Sequence, residues 1–391
     1  MSAQEAWRIF AEATRSLGNP EIDAWKAQGG KVVGFFCSMV PDELFTAAGI
    51  LPFRMRGTGS TSTELADAYF TPINCTFPRH AFNQALLGEY DFLDGMVCIN
   101  SCDHVRRVYD NWIQALDTPF VHVMSLPHKV DDPQVGWYHD DIAVLKEKIE
   151  GQFGVEITGD RLDEAIRLHN RIRALQKELY QMRRAERPPI TGVQALEVMV
   201  AGTALPRERY LELLEEVVEE ARTAPGVDGY RARLMIVGGE LDDPEYVRII
   251  EEQGGLVVTD STCFGSRLMW EAIDEEDPDP VRSLARYYIQ ERPSCPRMCG
   301  DQPRRLAYVR DLVNEFRVDG VIAERLMFCD QWLVEHYMTG NDLKADGIPF
   351  LALDREYILS GTGQLRTRVQ AFLEAIKGTS VTIRAGAQSL A

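Results

Sequence analysis

One stretch constrains this chain more than any other, because its grammar occurs twice. Residues 92–112 read FLDGMVCINSCDHVRRVYDNW, and residues 317–337 read RVDGVIAERLMFCDQWLVEHY. Each copy runs from an Asp-Gly turn (Asp94-Gly95, Asp319-Gly320) through a short apolar run to Cys-Asp, then into an amphipathic segment with aromatics. Short runs rich in β-branched and bulky apolar residues after a turn dipeptide read as buried strands of a parallel sheet. Cys102 and Cys329 then fall at equivalent places, just past the carboxyl end of a strand. In open α/β sheets that is where ligands bind.

The correspondence extends outward. KVVGFFC (31–37) and GILPFRMR (49–56) precede the first copy; RLMIVGGE (233–240) and GGLVVTDS (254–261) precede the second. TPFVHVMSLP (118–127) and IPFLALDRE (348–356) follow them. Each half thus reads as four strands with helical spacers. The expected fold class is α/β, with two similar doubly wound parallel-sheet domains of about four strands each and with N-terminal and inserted helices. The expected boundaries are an N-terminal helix over 1–30, a first α/β domain over 31–134, a helical insert over 135–228 and a second α/β domain over 229–391. Within the first segment, Gly18, Asn19 and Pro20 read as part of a linker. PDELFTAAG reads as a capped helix starting at Pro41. The start of the last helix, GTGQ, is expected to offer free backbone N–H groups beside the strand-end face.

Composition narrows the partners. A formal net charge of -18 argues against nucleic acid, which needs clustered Lys and Arg. It leaves room for an anionic small molecule, since RMRG, FPRH and HVRR lie near strand ends. No apolar run approaches the roughly 20 residues of a membrane span. The N-terminus reads as an amphipathic helix and not as a signal peptide, so the expected location is the cytoplasm.

Eight cysteines are present, and without a secretory signal they point to metal binding, chemistry or plain burial rather than to disulfides. Cys102 and Cys329 hold matching strand ends. Cys75 follows a Gly/Ser/Thr-rich loop from which the same crevice is within reach. Three thiolates without histidine partners suit an iron–sulfur cluster, whereas any one buried cysteine taken alone is as readily inert packing. Cys37 and Cys98 sit inside strand patterns and read as core. Cys295 and Cys299 form C-x3-C in a turn-rich loop with no further ligand nearby in sequence, which reads as irregular loop. His104 and His336 stand near cysteines but read as satisfied histidines. There is no P-loop, and RGTGST lacks the complete dinucleotide fingerprint.

The segments GFFCSMVPDELFTAAGILPFRMRG, ADAYFTPINCTFPRH, SCDHVRRVYDNW, FCDQW and GQLRTRVQAFLEAI, in that order, resemble the 2-hydroxyacyl-CoA dehydratase / benzoyl-CoA reductase family across nearly the whole chain. DREYILSGTGQLRTR, with the CDHVRR and FCDQW wording, is most similar to the smaller cluster-carrying subunit of ATP-dependent benzoyl-CoA reductase. The resemblance implies one 4Fe-4S cluster on Cys75, Cys102 and Cys329 with a non-cysteine fourth ligand, and low-potential electron transfer to a CoA thioester. It implies a homologous cluster-carrying sister subunit, an ASKHA-type (acetate-kinase-like) ATPase that delivers the electron, ferredoxin upstream of it, and an acyl-CoA substrate. The alternative reaction is dehydration of a 2-hydroxyacyl-CoA, and the alternative role is that of a non-catalytic partner subunit. Ser38, in the turn after the first strand, is a candidate donor to substrate; the competing reading is a cap for the helix at Pro41. The double-cubane branch of the family carries additional cysteines early in the chain; their absence here, and the position of Cys295 and Cys299, set that branch lower.

Overall fold

The computed structural model describes residues 2–377. Its frame is two four-stranded sheets, parallel throughout. The first contains β1 (Lys31–Phe35), β2 (Ile50–Arg54), β3 (Gly95–Ile99) and β4 (Val121–Met124) in the order β2-β1-β3-β4. The second contains β5 (Ala232–Gly238), β6 (Gly255–Ser261), β7 (Gly320–Leu326) and β8 (Phe350–Arg355) in the order β6-β5-β7-β8. The two lobes therefore share one topology, as the repeat predicts. In each, the chain winds one way and then the other, so the strand order switches between β1 and β3 and between β5 and β7.

The strands are apolar on both sides because helices cover both sheet faces. Successive side chains point to opposite faces. Val33 and Phe35 enter one core, which includes Tyr138 and Ile142 of helix 132–153, while Val32 and Phe36 enter another with Phe77 and Trp112. In the second sheet Leu234 and Ile236 face one side, and Met235 and Val237 face the other.

Between β4 and β5 stand four helices, Asp132–Phe153, Gly159–Met182, Gly192–Ala201 and Arg207–Thr223. Helix Ala3–Arg15 packs on the last two of these, through Ala6, Phe10 and Ala13. The expected linker after it is instead a second helix, Pro20–Ala27, in which Asn19 Oδ1 accepts the N–H groups of Glu21 (3.1 Å) and Ile22 (3.0 Å). Asn19 and Pro20 are thus a cap and a first-turn proline. The helix expected from Pro41 is shorter, Glu43–Ala47, with no side-chain cap, because the Asp42 carboxylate is taken by Arg207 at 2.6 Å. Ser38 does not cap it.

One crossing bears on the site. Between β6 and helix Gln302–Glu315, the segment carrying Ile273, Leu284, Tyr287, Tyr288 and Met298 leaves its own sheet. Its apolar residues join the core of Val33 and Phe35 in the first lobe. No described helix is long and apolar enough to cross a membrane.

Candidate metal centre

The loops at the two switch points face each other across a partly open cavity whose empty space, solvent at its mouth included, is about 710 Å³. Cys75, Cys102 and Cys329, the three cysteines named from the sequence, all line it. Cys102 lies three residues beyond Ile99, the end of β3, and Cys329 three residues beyond Leu326, the end of β7. The duplicated grammar therefore places them at the same offset in each lobe.

Each of the three also occupies the N-cap position of a helix: Cys75 before Thr76–Leu86, Cys102 before Asp103–Ala115, and Cys329 before Asp330–Ala345. The Cys102 sulfur accepts the N–H of Val105 at 3.4 Å. Helix N-termini carry partial positive charge and free N–H donors, so three of them favour sulfur in its anionic, ligating form. Burial acts the other way. It pushes Cys102 up to about 12 and drives Cys75 and Cys329 well above the ordinary thiol range. Without a bound metal these are neutral thiols, and metal binding would release their protons.

Side chains next to the cysteines tie the helix starts together. His104 Nδ1 accepts from Asn74 Nδ2 at 2.8 Å, which leaves its N–H on Nε2, 3.1 Å from the Asp330 carboxylate. Gln331 Nε2 donates to the Ser101 carbonyl at 3.0 Å. His104 itself lines the cavity, whereas His336 packs against Phe350 away from it.

Three further cysteines reach the same space. Cys37, Cys263 and Cys295 line the cavity along with Glu240 and Arg297. Cys98 is core, as expected, but Cys37 is not: β1 stops at Phe35, and Cys37 turns into the cleft with a left-handed φ of 74°. Cys295 is brought there by the crossing segment, while Cys299 is exposed. Arg267 Nη2 donates to Cys263 Sγ at 3.0 Å. Sequence spacing missed this group because Cys37, Cys263 and Cys295 come together only through tertiary packing. The start of the last helix, Thr362–Lys377, contributes nothing to the cavity lining, so the expectation for GTGQ does not hold.

Among the described residues, one set of three Cys, His, Asp or Glu ligand atoms lies within 4.8 Å of one another: Asp42, Glu43 and His169. Arg207 and Arg173 already neutralise its carboxylates, so it is a buried ion-pair network. The thiols of the cavity are spread more widely than the shell of a single ion, where metal–sulfur bonds of about 2.3 Å hold sulfurs roughly 4 Å apart. Ligands to a polynuclear cluster attach to different metal atoms and span more. The donor set, all sulfur and drawn from both lobes, fits such a group.

Ser38 lies elsewhere. It lines an adjoining cavity and not the thiol cavity; its carbonyl accepts from Arg292 Nη1, and its Oγ lies 3.3 Å from Nη2.

Two parallel-sheet lobes closing on a thiol-lined cleft define the class of protein, and comparison with known proteins defines the family. Residues 37–376 match the family described as 2-hydroxyglutaryl-CoA dehydratase, D-component, and the chain belongs to it. It is 28% identical to the putative dehydratase subunit YjiM of Escherichia coli (strain K12), over 94% of this chain and 97% of that one. It is 25% identical to a benzoyl-CoA reductase subunit of Thauera aromatica, over 89% and 91% respectively. It is also 24% identical to the beta subunit of (R)-2-hydroxyglutaryl-CoA dehydratase of Acidaminococcus fermentans, over 90% and 94%. These relatives are subunits of dehydratases and of a reductase.

Proposed function

We propose that this chain is an iron–sulfur subunit that takes part in low-potential, single-electron reduction of an acyl-CoA thioester. The observation that carries the reading is the meeting of Cys75, Cys102 and Cys329, each at a helix N-terminus, in one cavity between the lobes. These three would hold a 4Fe-4S cluster, leaving one iron for a non-cysteine ligand. When bound, the cluster supplies single electrons and a Lewis-acidic iron. The chain's own residues do the rest. The lobes exclude water, the helix N-termini favour the thiolates, and Asn74, His104 and Asp330 fix the ligand-bearing helix starts. As benzoyl-CoA reductase the complex would dearomatise the ring; as a dehydratase it would remove water from a 2-hydroxyacyl-CoA. In either reaction the family resemblance implies a sister subunit, an ASKHA-type ATPase and ferredoxin as partners, in the cytoplasm. A place as a non-catalytic partner subunit of either complex is the remaining alternative.

A second reading is favoured by one observation. Cys37, Cys263 and Cys295 double the thiols around the cavity, which is more than one cubane with three cysteines uses. Cys37, early in the chain, and Cys295, which the crossing segment brings into the cleft, weaken the two grounds for setting a double-cubane centre lower. On this reading the chain carries a larger cluster held by both trios.

The test is metal analysis of anaerobically purified protein. About four irons per chain, lost on Cys102→Ser, is the result expected for one cubane. About eight irons, with about half lost in a Cys37/Cys263/Cys295 triple Ser variant, selects the larger centre. Iron content unchanged by Cys102→Ser would overturn both.

A further inference from the structure

Phe77 lines the thiol cavity, and the Tyr357 ring packed on it lines a separate groove whose empty space, solvent at its mouth included, is about 1450 Å³. Stretches distant in sequence border this groove: the end of helix Ala3–Arg15, the loop Gly57–Thr61, Glu197 of helix Gly192–Ala201, the turn into helix Pro244–Glu252, and Tyr357–Leu359. Four carboxylates face it, Glu197, Asp242, Asp243 and Glu245, against two guanidiniums, Arg15 and Arg248. Glu245 pairs with Arg248 at 3.0 Å. Asp242 accepts from the Tyr357 hydroxyl, and Asp243 accepts from the Glu245 N–H at 2.9 Å. Glu197 is 8% exposed, and no described group donates to it. Burial, the largest influence, raises its pKa, and Arg248 and Arg15 offset only part of that. The other four buried carboxylates among the described residues, Glu43, Asp242, Glu324 and Glu335, each have a donor, from Arg173, Tyr357, Arg355 and Arg305.

A buried carboxylate without a donor is costly unless a cation from outside supplies one. The layout of the groove indicates which kind. A single metal ion draws its ligand atoms close together, and no three of these carboxylates bring oxygens within 4.8 Å of one another. Their charge is spread out, and Pro244, Ile358 and Leu359 add apolar surface to the same lining. A cation that matches carries more than one positive group on a flexible apolar chain. We infer that this groove binds an aliphatic polyamine, with one ammonium group on Glu197, another on the Asp242–Asp243 turn, and the methylenes against Pro244, Ile358 and Leu359. The inference goes beyond the proposed function, and the binding it claims is independent of iron.

The test is calorimetric titration of the full chain with spermidine and, separately, with magnesium, alongside melting with and without spermidine. Spermidine should bind and raise the melting temperature. Glu197→Gln keeps the shape and removes the charge, so it should weaken spermidine by about tenfold or more, as loss of a charge-assisted hydrogen bond implies. Without ligand that variant should melt no lower than the wild type, because no donor in the protein loses its acceptor. Thr61→Arg, a substitution at an exposed position of the rim, should weaken spermidine as well. Glu164→Gln, on an exposed face of helix Gly159–Met182, should bind as the wild type does, which separates the groove from the general attraction of a chain of net charge -18 for cations. No spermidine binding, binding indifferent to the groove variants, equal weakening by Glu197→Gln and Glu164→Gln, magnesium binding that Glu197→Gln removes, or a ligand-free Glu197→Gln protein that melts well below the wild type would each overturn the inference.

Discussion

The Nε2 of His104 stands 3.1 Å from the carboxylate of Asp330, and this contact joins the first turn of a helix in one lobe to the first turn of its counterpart in the other. Both residues neighbour candidate cluster cysteines, and Asn74 on the far side of the ring neighbours the third. With the Gln331–Ser101 hydrogen bond beside it, this partly exposed polar contact adds to apolar packing in setting the spacing between the lobes.

Replacing His104 should therefore loosen the centre without dismantling the lobes. His104→Ala leaves Asn74 without its acceptor and is expected to cost about 1 kcal/mol in denaturant unfolding. Iron should leave the variant faster than the wild type under a chelator. Equal release rates would show that the strut does not position the ligands.

Arg54 offers a sharper test of how the lobes are held. It leaves the end of β2, lies over the Phe264 ring at 3.7 Å, and donates to the Glu240 carboxylate (2.8 Å) and to the Cys263 carbonyl (2.5 Å) in the other lobe. The guanidinium is almost completely buried. Arg54→Met should cost about 3 kcal/mol, because it leaves Glu240 facing the cavity unpaired. Adding Glu240→Gln should recover a large part of that loss, and a double variant no more stable than the single one would contradict the pairing.

Acid should destabilise the protein through the network beneath the cavity that Ser38 lines. Burial, the largest influence on His169, outweighs the pull of Asp42 and Glu43 and lowers its pKa to about 4. The unfolded imidazole takes its proton near 6.5 while the folded one does not, so stability is complete above about pH 6.5 and drains away as the pH falls toward 4. Asp42 extends the loss. Burial would raise its pKa, but His169, Arg207 and Arg173 overcome burial and bring it to about 2, so its contribution disappears between about pH 4 and 2. The His169 contribution is on the order of 3 kcal/mol. Melting temperature followed from pH 7 to 4 should fall, and His169→Gln should flatten the slope; an unchanged slope would remove His169 as its source.

The order of strands, their parallel arrangement and the matched positions of Cys102 and Cys329 were legible in the sequence, because each depends on local pattern. An Asp-Gly turn, a short apolar run and a following amphipathic segment specify strand, turn and helix within about twenty residues, and the repeat doubles the signal. Local pattern misread Asn19 and Pro20 as linker, since a cap and a first-turn proline use the same residues as a loop. Only the tertiary structure decided what shares the cleft. Cys37 leaves its strand through a left-handed turn, Cys295 arrives on a segment whose apolar residues are buried in the opposite lobe, and Arg292 comes with it to meet Ser38. Those meetings join residues more than two hundred positions apart, and burial of apolar surface between lobes, which spacing does not encode, is what brings them together.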